Sequence, residues 1–335
     1  MQPSRDRWID TTRGTMMLLV VFVHSLGFVA TDGHDVPHWF TVLDKGTDFF
    51  RMPVLVALAG ALVPRALRKR TGVFITGKLR AVVWPYAVWA TLTMTAILGY
   101  RGVGAVVGAV LLPGPYLWFS WALIIGFASV LVLRDHQRWI LPAAAVFLAA
   151  SAVVPLAEAS WAVFNVAFFL LGWWLMEHRA SVPEHVRPWL LGVCVTAAGV
   201  VTVVGALEIA ETRHAVPWSW GGVSVLVVLF LYAPSRRIPR VAAPLEWVGR
   251  NSMVFYSSHA LIAFLLTRAA DRIGTPSLLT QHPLLTGIGT FAVTVTLCAI
   301  CVRARRFRFI ELAYTWPAPR RRNGGEHGRR RAVAA

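Results

Sequence analysis

The sequence predicts an all-α polytopic membrane protein with about ten transmembrane helices and with both termini in the cytoplasm. Hydrophobic residues make up 56% of the 335 residues and charged residues only 15%, whereas roughly a quarter of the residues are charged in an ordinary soluble domain. A soluble chain of this length has too small a core to bury so much apolar surface. We therefore expect lipid to surround most of the chain.

Apolar runs close to the 17–25 residues that cross about 30 Å of hydrocarbon recur along the whole chain. They lie at about 14–31, 49–64, 81–99, 116–133, 139–155, 161–176, 189–207, 217–233, 251–267 and 284–302. A further apolar run at 102–112 ends in Pro-Gly-Pro and has only eleven residues. This run is too short to span a bilayer, so we expect it to be re-entrant or interfacial.

The distribution of basic residues between alternate loops predicts the orientation. With ten spans, 27 of the 33 lysines and arginines fall on the side that holds both termini, and six fall on the other side. Loops rich in lysine and arginine remain in the cytoplasm. The sequence therefore places the N-terminus and the C-terminus inside and predicts a multi-pass protein of the inner or plasma membrane.

Two domains follow from this pattern, an integral-membrane domain at 1–302 and a basic cytoplasmic tail at 303–335 that we expect to be disordered. The net charge of +17 sits at the ends of apolar segments and in this tail. It does not form a basic face interleaved with aromatic residues, so a nucleic-acid partner is not expected.

The three cysteines lie inside apolar runs, where they are best explained as small buried hydrophobic residues, and no metal site is expected.

Two histidines lie within predicted spans, where an ionisable residue is a functional candidate. His24 follows Arg13 by eleven residues, about 16 Å along a helix, and His259 follows Arg250 by nine, so both reach a similar depth. His24 forms a spaced set on one helix with Asp10 and Arg13, and a neutral imidazole can take a proton from a hydroxyl. The alternative for each histidine is a structural hydrogen bond between helices.

A basic cytoplasmic loop and a group of polar residues in the outer loops are further candidates. The loop contains Arg65, Arg68, Lys69, Arg70, Lys78 and Arg80, which either set the topology alone or bind a phosphorylated donor. The outer group contains Asp44, Asp48, Glu158, Glu208, Glu211, Asp271, His34, His38, His214, Trp39, Trp161 and Trp218. Carboxylates beside aromatic rings suit sugar binding, but interfacial aromatic belts explain the tryptophans equally well.

Six motifs in order resemble the acyltransferase-3 family of membrane-bound acyltransferases. They are Arg13-Gly14-x9-His24, Phe49-Phe50-Arg51-Met52-Pro53, Lys78-Leu79-Arg80-x4-Pro85, Leu117-Trp118-Phe119, Phe168-Phe169-Leu170-Leu171-Gly172 and Gly249-Arg250-Asn251-Ser252-x3-Tyr256-x2-His259. The opening run 5–10, Arg-Asp-Arg-Trp-Ile-Asp, further resembles the fucose-4-O-acetylase-like subset. One position departs from the family pattern, because the second helix reads Ala59-Gly60 where the family usually has Ser-Gly.

The resemblance implies an enzyme that moves an acyl group, usually acetyl from acetyl-CoA, to a hydroxyl of an extracytoplasmic glycan or small molecule. It implies Arg13 and His24 as an essential pair, and Asp10, which belongs to the same spaced set on this helix, completes the predicted catalytic residues. The predicted substrate- and donor-binding residues are Arg65, Arg68, Lys69, Arg70, Lys78, Arg80, Arg51, Tyr256 and His259, of which Arg65 to Arg70 match the basic loop of the family. The residues themselves leave direct transfer and an acyl-histidine intermediate open.

A transporter of an acylated or acidic metabolite is the alternative from another class, and a catalytically inactive helper is a third. Secondary transporters commonly carry internal repeats or broken helices in both halves, and neither pattern is found in the sequence. The sequence therefore favours the enzyme, with acyl-CoA, a hydroxylated and preferably carbohydrate acceptor, and the lipid bilayer as partners.

Overall fold

The structure, a computed structural model, describes residues 6–31, 37–97, 99, 102–112, 114, 116–207, 216–235, 238–272 and 282–316. Within these ranges the chain forms helices and turns and contains no strand, so the predicted all-α fold is confirmed. The outer-loop residues His34, Glu208, Glu211 and His214 and the predicted tail from residue 317 onward lie outside the described residues. The same holds for the side chains of Asp271 and Trp218.

The described α-helices are given in chain order. They are α1 Arg7–Thr31, α2 His38–Gly60, α3 Val63–Leu67, α4 Thr71–Lys78, α5 Trp84–Ile97, α6 Val103–Leu111, α7 Trp118–Leu133, α8 Ile140–Ser151, α9 Ala157–His178, α10 Arg187–Ala206, α11 Val216–Tyr232, α12 Ala243–Arg250, α13 Ser252–Arg272, α14 Pro283–Ala304 and α15 Arg308–Glu311. A π-helical turn at Leu79–Val83 joins α4 to α5.

A described helix coincides with each of the ten predicted spans. By length and composition, six of the helices in the described part are able to cross a membrane, and the shorter apolar helices include Trp118–Leu133 and Ser219–Tyr232. Helix α6, on the run expected not to span, has nine residues, or about 14 Å of rise. The chain is therefore a polytopic membrane protein, whereas the number of spans and their orientation remain predictions.

Glycines bring two pairs of helices into backbone contact. A Cβ atom added to Gly14 would overlap a carbonyl oxygen of α12, and one added to Gly249 would overlap a carbonyl oxygen of α1. Gly60 of α2 and Gly172 of α9 approach each other's helices in the same way. Small residues at such crossings allow close backbone packing in lipid. These contacts fix α1 and α2, the helices that carry Asp10, Arg13, His24 and Arg51.

The predicted start of the tail is part of the fold. Helix α14 continues to Ala304, and the chain then folds back against α5, where the indole nitrogens of Trp84 and Trp89 donate to the carbonyl oxygens of Leu312 and Ala313 at 2.6 and 2.9 Å. Tyr314 is buried in the main hydrophobic cluster. The folded region therefore extends past the predicted boundary at 302 to at least residue 316, because these aromatic side chains supply both apolar contact and hydrogen bonds.

Candidate functional site

A cavity of about 290 Å³ lies between α1, α2, α7, α9 and α13. Its wall includes His24, Arg51, Trp118, Asn165 and Tyr256. The residues from α2, α7 and α9 belong to the halves of these helices that the sequence places toward the outside, and His24 lies near the predicted midplane. The cavity therefore extends from the predicted outer face to His24, the candidate base.

His24 and His259 contact each other directly at the inner end of this cavity. Nδ1 of His24 lies 2.8 Å from Nε2 of His259, and the two rings are nearly parallel, with an interplanar angle of 19°. The packing of α13 against α1 brings the two histidines together across 235 residues of sequence. The sequence analysis assigned His259 to substrate or donor binding, whereas the structure places it beside the candidate base.

The partners of His259 fix the hydrogen positions of the pair. Nδ1 of His259 lies 2.9 Å from the carbonyl oxygens of Phe255 and Tyr256. Carbonyl oxygens only accept, so Nδ1 carries the hydrogen. His259 is fully buried, which favours its neutral form, so its Nε2 accepts from Nδ1–H of His24. The lone pair of His24 then lies on Nε2, and His24 lines the cavity.

Tyr256 lies one helical turn before His259 and also lines the cavity. Its side chain is buried, and its hydroxyl oxygen accepts the backbone N–H of Ser120 at 3.3 Å. The phenolic hydrogen remains available to donate. Ser257 and Ser258 instead donate to carbonyl oxygens of their own helix at 2.8 Å. Tyr256 is thus the hydroxyl of this segment that reaches the cavity.

Arg51 enters the cavity wall as part of an ion-pair cluster. Its Nη2 lies 2.7 Å from Oδ1 of Asp44 and 3.0 Å from Oδ1 of Asp48, while Nη1 donates to Oγ1 of Thr47 at 3.2 Å. The arginine is 6% exposed, and such a buried cation needs compensation. Asp44, Asp48 and Arg51 all line the cavity, and the formal charges of these three wall residues sum to one net negative charge.

The other two residues of the predicted catalytic set lie at the opposite end of α1 from His24. Nη1 of Arg13 is 3.9 Å from Oδ1 of Asp10, and Nη2 donates to the carbonyl oxygen of Leu58 at 3.4 Å. Both side chains are largely buried. The structure therefore brings Arg13 and Asp10 together but separates them from His24 by about three turns of helix.

Lys78 shares this inner end with Arg13. Its Nζ lies 3.6 Å above the ring of Phe127. Burial, together with the nearby charges of Lys69 and Arg13, lowers the pKa of Lys78 to about 8. A lysine held this way is a cation that an anionic ligand would stabilise.

The rest of the predicted basic set is more open to solvent. Arg68, Lys69 and Arg70 are exposed, and Arg65 pairs with Asp6 at 3.0 Å with 40% of its side chain exposed. Arg80 lies in the π-helical turn. The described wall of the cavity includes Arg51 but none of these residues. The predicted binding set is therefore divided between the cavity and a second group on the predicted cytoplasmic side. This second group, here called the inner basic group, consists of Arg13, Lys78, Arg65, Arg68, Lys69, Arg70 and Arg80.

Asn165 and Tyr116 line the cavity and were missed by sequence reasoning. Asn165 lies within the predicted span 161–176, so the rule that picks out polar residues in lipid would have found it if extended from ionisable side chains to amides. Tyr116 has a φ angle of +67°, an uncommon backbone conformation for a residue with a side chain. Its ring contacts His24 edge-on at 5.6 Å between centroids.

Within the described residues, no group of three or more His, Cys, Asp or Glu side chains is arranged to hold a metal ion. Cys194, Cys298 and Cys301 are free thiols. The described site thus consists of imidazole, guanidinium, carboxylate, amide, phenol and indole groups.

Residues 6–303 match a family model described as an acyltransferase domain, of the acyltransferase-3 type. No curated protein matches the chain, and no solved structure matches it. The family match covers most of the sequence and includes every residue of the cavity wall and of the inner basic group.

Proposed function

The chain belongs to the acyltransferase-3 family, and we propose that it transfers an acetyl group from cytoplasmic acetyl-CoA to a hydroxyl of an extracytoplasmic carbohydrate. The observation that carries the proposal is the hydrogen-bonded pair of His24 and His259 at the wall of the cavity. This pair leaves an unprotonated imidazole nitrogen beside a space large enough for a small group. The fucose-4-O-acetylase-like pattern of residues 5–10 agrees with an O-acetyltransferase.

In this proposal Nε2 of His24 is the general base. It takes the proton of the acceptor hydroxyl as the hydroxyl oxygen attacks the thioester carbonyl carbon. The C–S bond then breaks, and the thiolate of CoA receives the proton from His24. His259 keeps the His24 ring in the productive tautomer, and the hydroxyl of Tyr256 donates to the oxygen that becomes negative in the transition state. An acyl-histidine route starts from the same neutral Nε2.

The inner basic group holds the donor in this proposal. Arg13 and Lys78 contact the phosphates of CoA from the interior, and Arg65, Arg68, Lys69, Arg70 and Arg80 contribute charge at the rim. Guanidinium groups match phosphate oxygens with paired hydrogen bonds. The long and narrow pantetheine arm then reaches toward His24, about 16 Å from Arg13 along α1. The protein works in the inner or plasma membrane, with this group facing the cytoplasm.

Arg51 belongs to the acceptor side in this proposal. Arg51 is one of the predicted substrate- and donor-binding residues. It lines the cavity with His24 and lies about 20 Å before Arg65 along the α2–α3 segment. Its two carboxylate partners present oxygens that accept hydrogen bonds from hydroxyls. A hydroxylated acceptor entering from outside would meet this cluster first.

The test is to incubate purified protein with acetyl-CoA labelled in its acetyl carbon and with cell-envelope fractions. Label should appear in a product that resists neutral hydroxylamine, which cleaves the thioester donor, and that releases acetyl hydroxamate with alkaline hydroxylamine, as an O-ester does. If wild-type protein transfers no label to any envelope component, while it moves a labelled metabolite across proteoliposomes, the transporter alternative replaces the enzyme.

A further inference from the structure

We propose that Asn165 positions the acceptor: its amide oxygen accepts a hydrogen bond from one hydroxyl of a neutral sugar ring seated in the cavity. This inference rests on the proposed function and specifies its substrate. Asn165 would then determine acceptor specificity from α9, whereas the histidine pair lies on α1 and α13.

The orientation of the Asn165 amide is fixed by its own helix. Nδ2 donates to the carbonyl oxygen of Trp161 at 3.0 Å. A carbonyl oxygen cannot donate, so the nitrogen must face Trp161 and Oδ1 must face away from it. Asn165 is 3% exposed and lines the cavity.

Oδ1 of Asn165 is buried and has no hydrogen-bond partner among the described atoms. Buried amide oxygens are nearly always paired, and an exception calls for an explanation. A ligand seated against this part of the wall would bring the missing donor. Because Oδ1 only accepts, the ligand must present an O–H or N–H group there.

The charge and the shape of the cavity restrict the ligand further. The cluster of Arg51 with Asp44 and Asp48 carries a net negative charge, so an anionic acceptor is repelled. The rings of Trp118 and Trp161 lie 5.9 Å apart between centroids and supply apolar surface beside these polar groups. A volume of about 290 Å³ is near the lower end of ordinary ligand pockets. A single neutral ring, or the end of a glycan, satisfies all three conditions.

The experiment measures transfer of labelled acetyl to methyl glycosides of glucose, galactose, mannose and fucose. The preferred glycoside is then replaced by its monodeoxy derivatives, with wild-type protein and with Asn165→Leu and Asn165→Ala. Removing one particular hydroxyl should lower kcat/KM of the wild type about tenfold or more. The same removal should have little further effect in the Asn165 variants, because the partner of that hydroxyl is already gone.

Ser160→Ala is the matched control on the same helix. Its hydroxyl donates to the carbonyl oxygen of Ser151 at 2.6 Å, and Ser160 is not part of the described cavity wall. This variant should respond to each deoxy derivative as the wild type does. If every deoxy derivative lowers kcat/KM by the same factor in wild type and in the Asn165 variants, Asn165 has no positioning role.

A wild-type measurement keeps the inference testable if both Asn165 variants fail to fold. Methyl glucuronoside, in which a carboxylate replaces the hydroxymethyl group of methyl glucoside, should be used about tenfold less well or worse than its uncharged carboxamide, which lacks the same hydroxyl. Equal use of the two would overturn the preference for a neutral ring. Transfer to envelope material but to no glycoside would overturn this inference alone. An absence of transfer to any acceptor would overturn the proposed function instead.

Discussion

The cavity and the inner basic group differ in how firmly the protein holds their charges. In the cavity, Arg51 is buried between two carboxylates, and His259 is fully buried against backbone carbonyls. In the basic loop, Arg68, Lys69 and Arg70 are exposed. Packing and hydrogen bonds hold the cavity residues in one geometry, whereas the exposed side chains of the basic loop can rearrange around a ligand.

This difference separates two tasks. Preorganised groups in a water-poor site stabilise a transition state most effectively, because they need no rearrangement when charge develops. Exposed charges mainly attract and retain a charged ligand. We therefore expect substitutions in the cavity to change kcat and substitutions in the loop to change the KM of the donor.

The largest expected effect is at His24. His24→Ala should lower kcat by about 10²–10⁴-fold, the usual contribution of a general base, while donor binding is largely kept. His24→Gln should not restore activity, because an amide does not accept the proton. Single-turnover acetyl transfer with saturating donor measures this effect, and a His24→Gln variant with wild-type kcat would exclude His24 as the base.

The second-largest effect on kcat is expected at His259. Glutamine should restore activity at this position, whereas it should not do so at position 24. His259→Leu should lower kcat by about 10- to 100-fold, or about 1.4–2.7 kcal/mol, because the His24 ring loses its orientation. A glutamine can donate to the backbone carbonyls and accept from Nδ1–H of His24, so His259→Gln should recover most of the activity. If glutamine is tolerated at position 24 but not at 259, the two histidines have exchanged roles.

A smaller effect, dependent on pH, is expected from Lys78. Because its pKa is lowered to about 8, Lys78 is charged below this pH and loses its charge as the pH rises through it. The KM of the donor should therefore increase severalfold between about pH 7 and pH 9. Lys78→Arg should remove the increase, since arginine keeps its charge. An equal increase in Lys78→Arg would assign the pH dependence to another group.

The smallest effect is expected from the exposed loop. Replacing Arg68, Lys69 and Arg70 together by Gln should raise the KM of the donor by about two- to fivefold with kcat unchanged, because contacts to the phosphates supply uniform binding. The effect should shrink as the ionic strength rises. Arg138→Gln, at an exposed position in another predicted cytoplasmic loop, is the control. An unchanged KM in the triple variant would leave the loop with a topological role alone.

The sequence was sufficient to predict the helices and the histidine on α1, because both depend on local patterns. The length of an apolar run predicts a helix in lipid, and a histidine within such a run is recognisable as an ionisable residue in an apolar segment. The contact between His24 and His259 was not predictable in this way, since it depends on how α13 packs against α1. The equal depths of the two residues were the one available signal, and depth alone does not give the face of a helix.

The grouping of the charged residues was the least predictable part of the site. Arg51 and Arg65 both belong to the predicted substrate- and donor-binding set, although one comes from a motif in α2 and the other from the basic loop. The structure pairs Arg51 with Asp44 and Asp48, and Arg65 with Asp6. Two of these three contacts join Arg51 to residues within two turns of its own helix, and the third joins Arg65 to a residue just before α1. Only the packed chain distinguishes these surroundings.

The sidedness of the reaction decides whether the two substrates bind on opposite faces of the membrane. In the proposed function the inner basic group binds acetyl-CoA from the cytoplasm, and the cavity binds the acceptor from outside. Inverted and right-side-out membrane vesicles that contain the protein would each receive labelled acetyl-CoA, whose phosphate charges prevent it from crossing the bilayer. We expect rapid O-acetylation in inverted vesicles, whose cytoplasmic face is exposed, and none in sealed right-side-out vesicles. Equal labelling in sealed right-side-out vesicles would contradict this expectation.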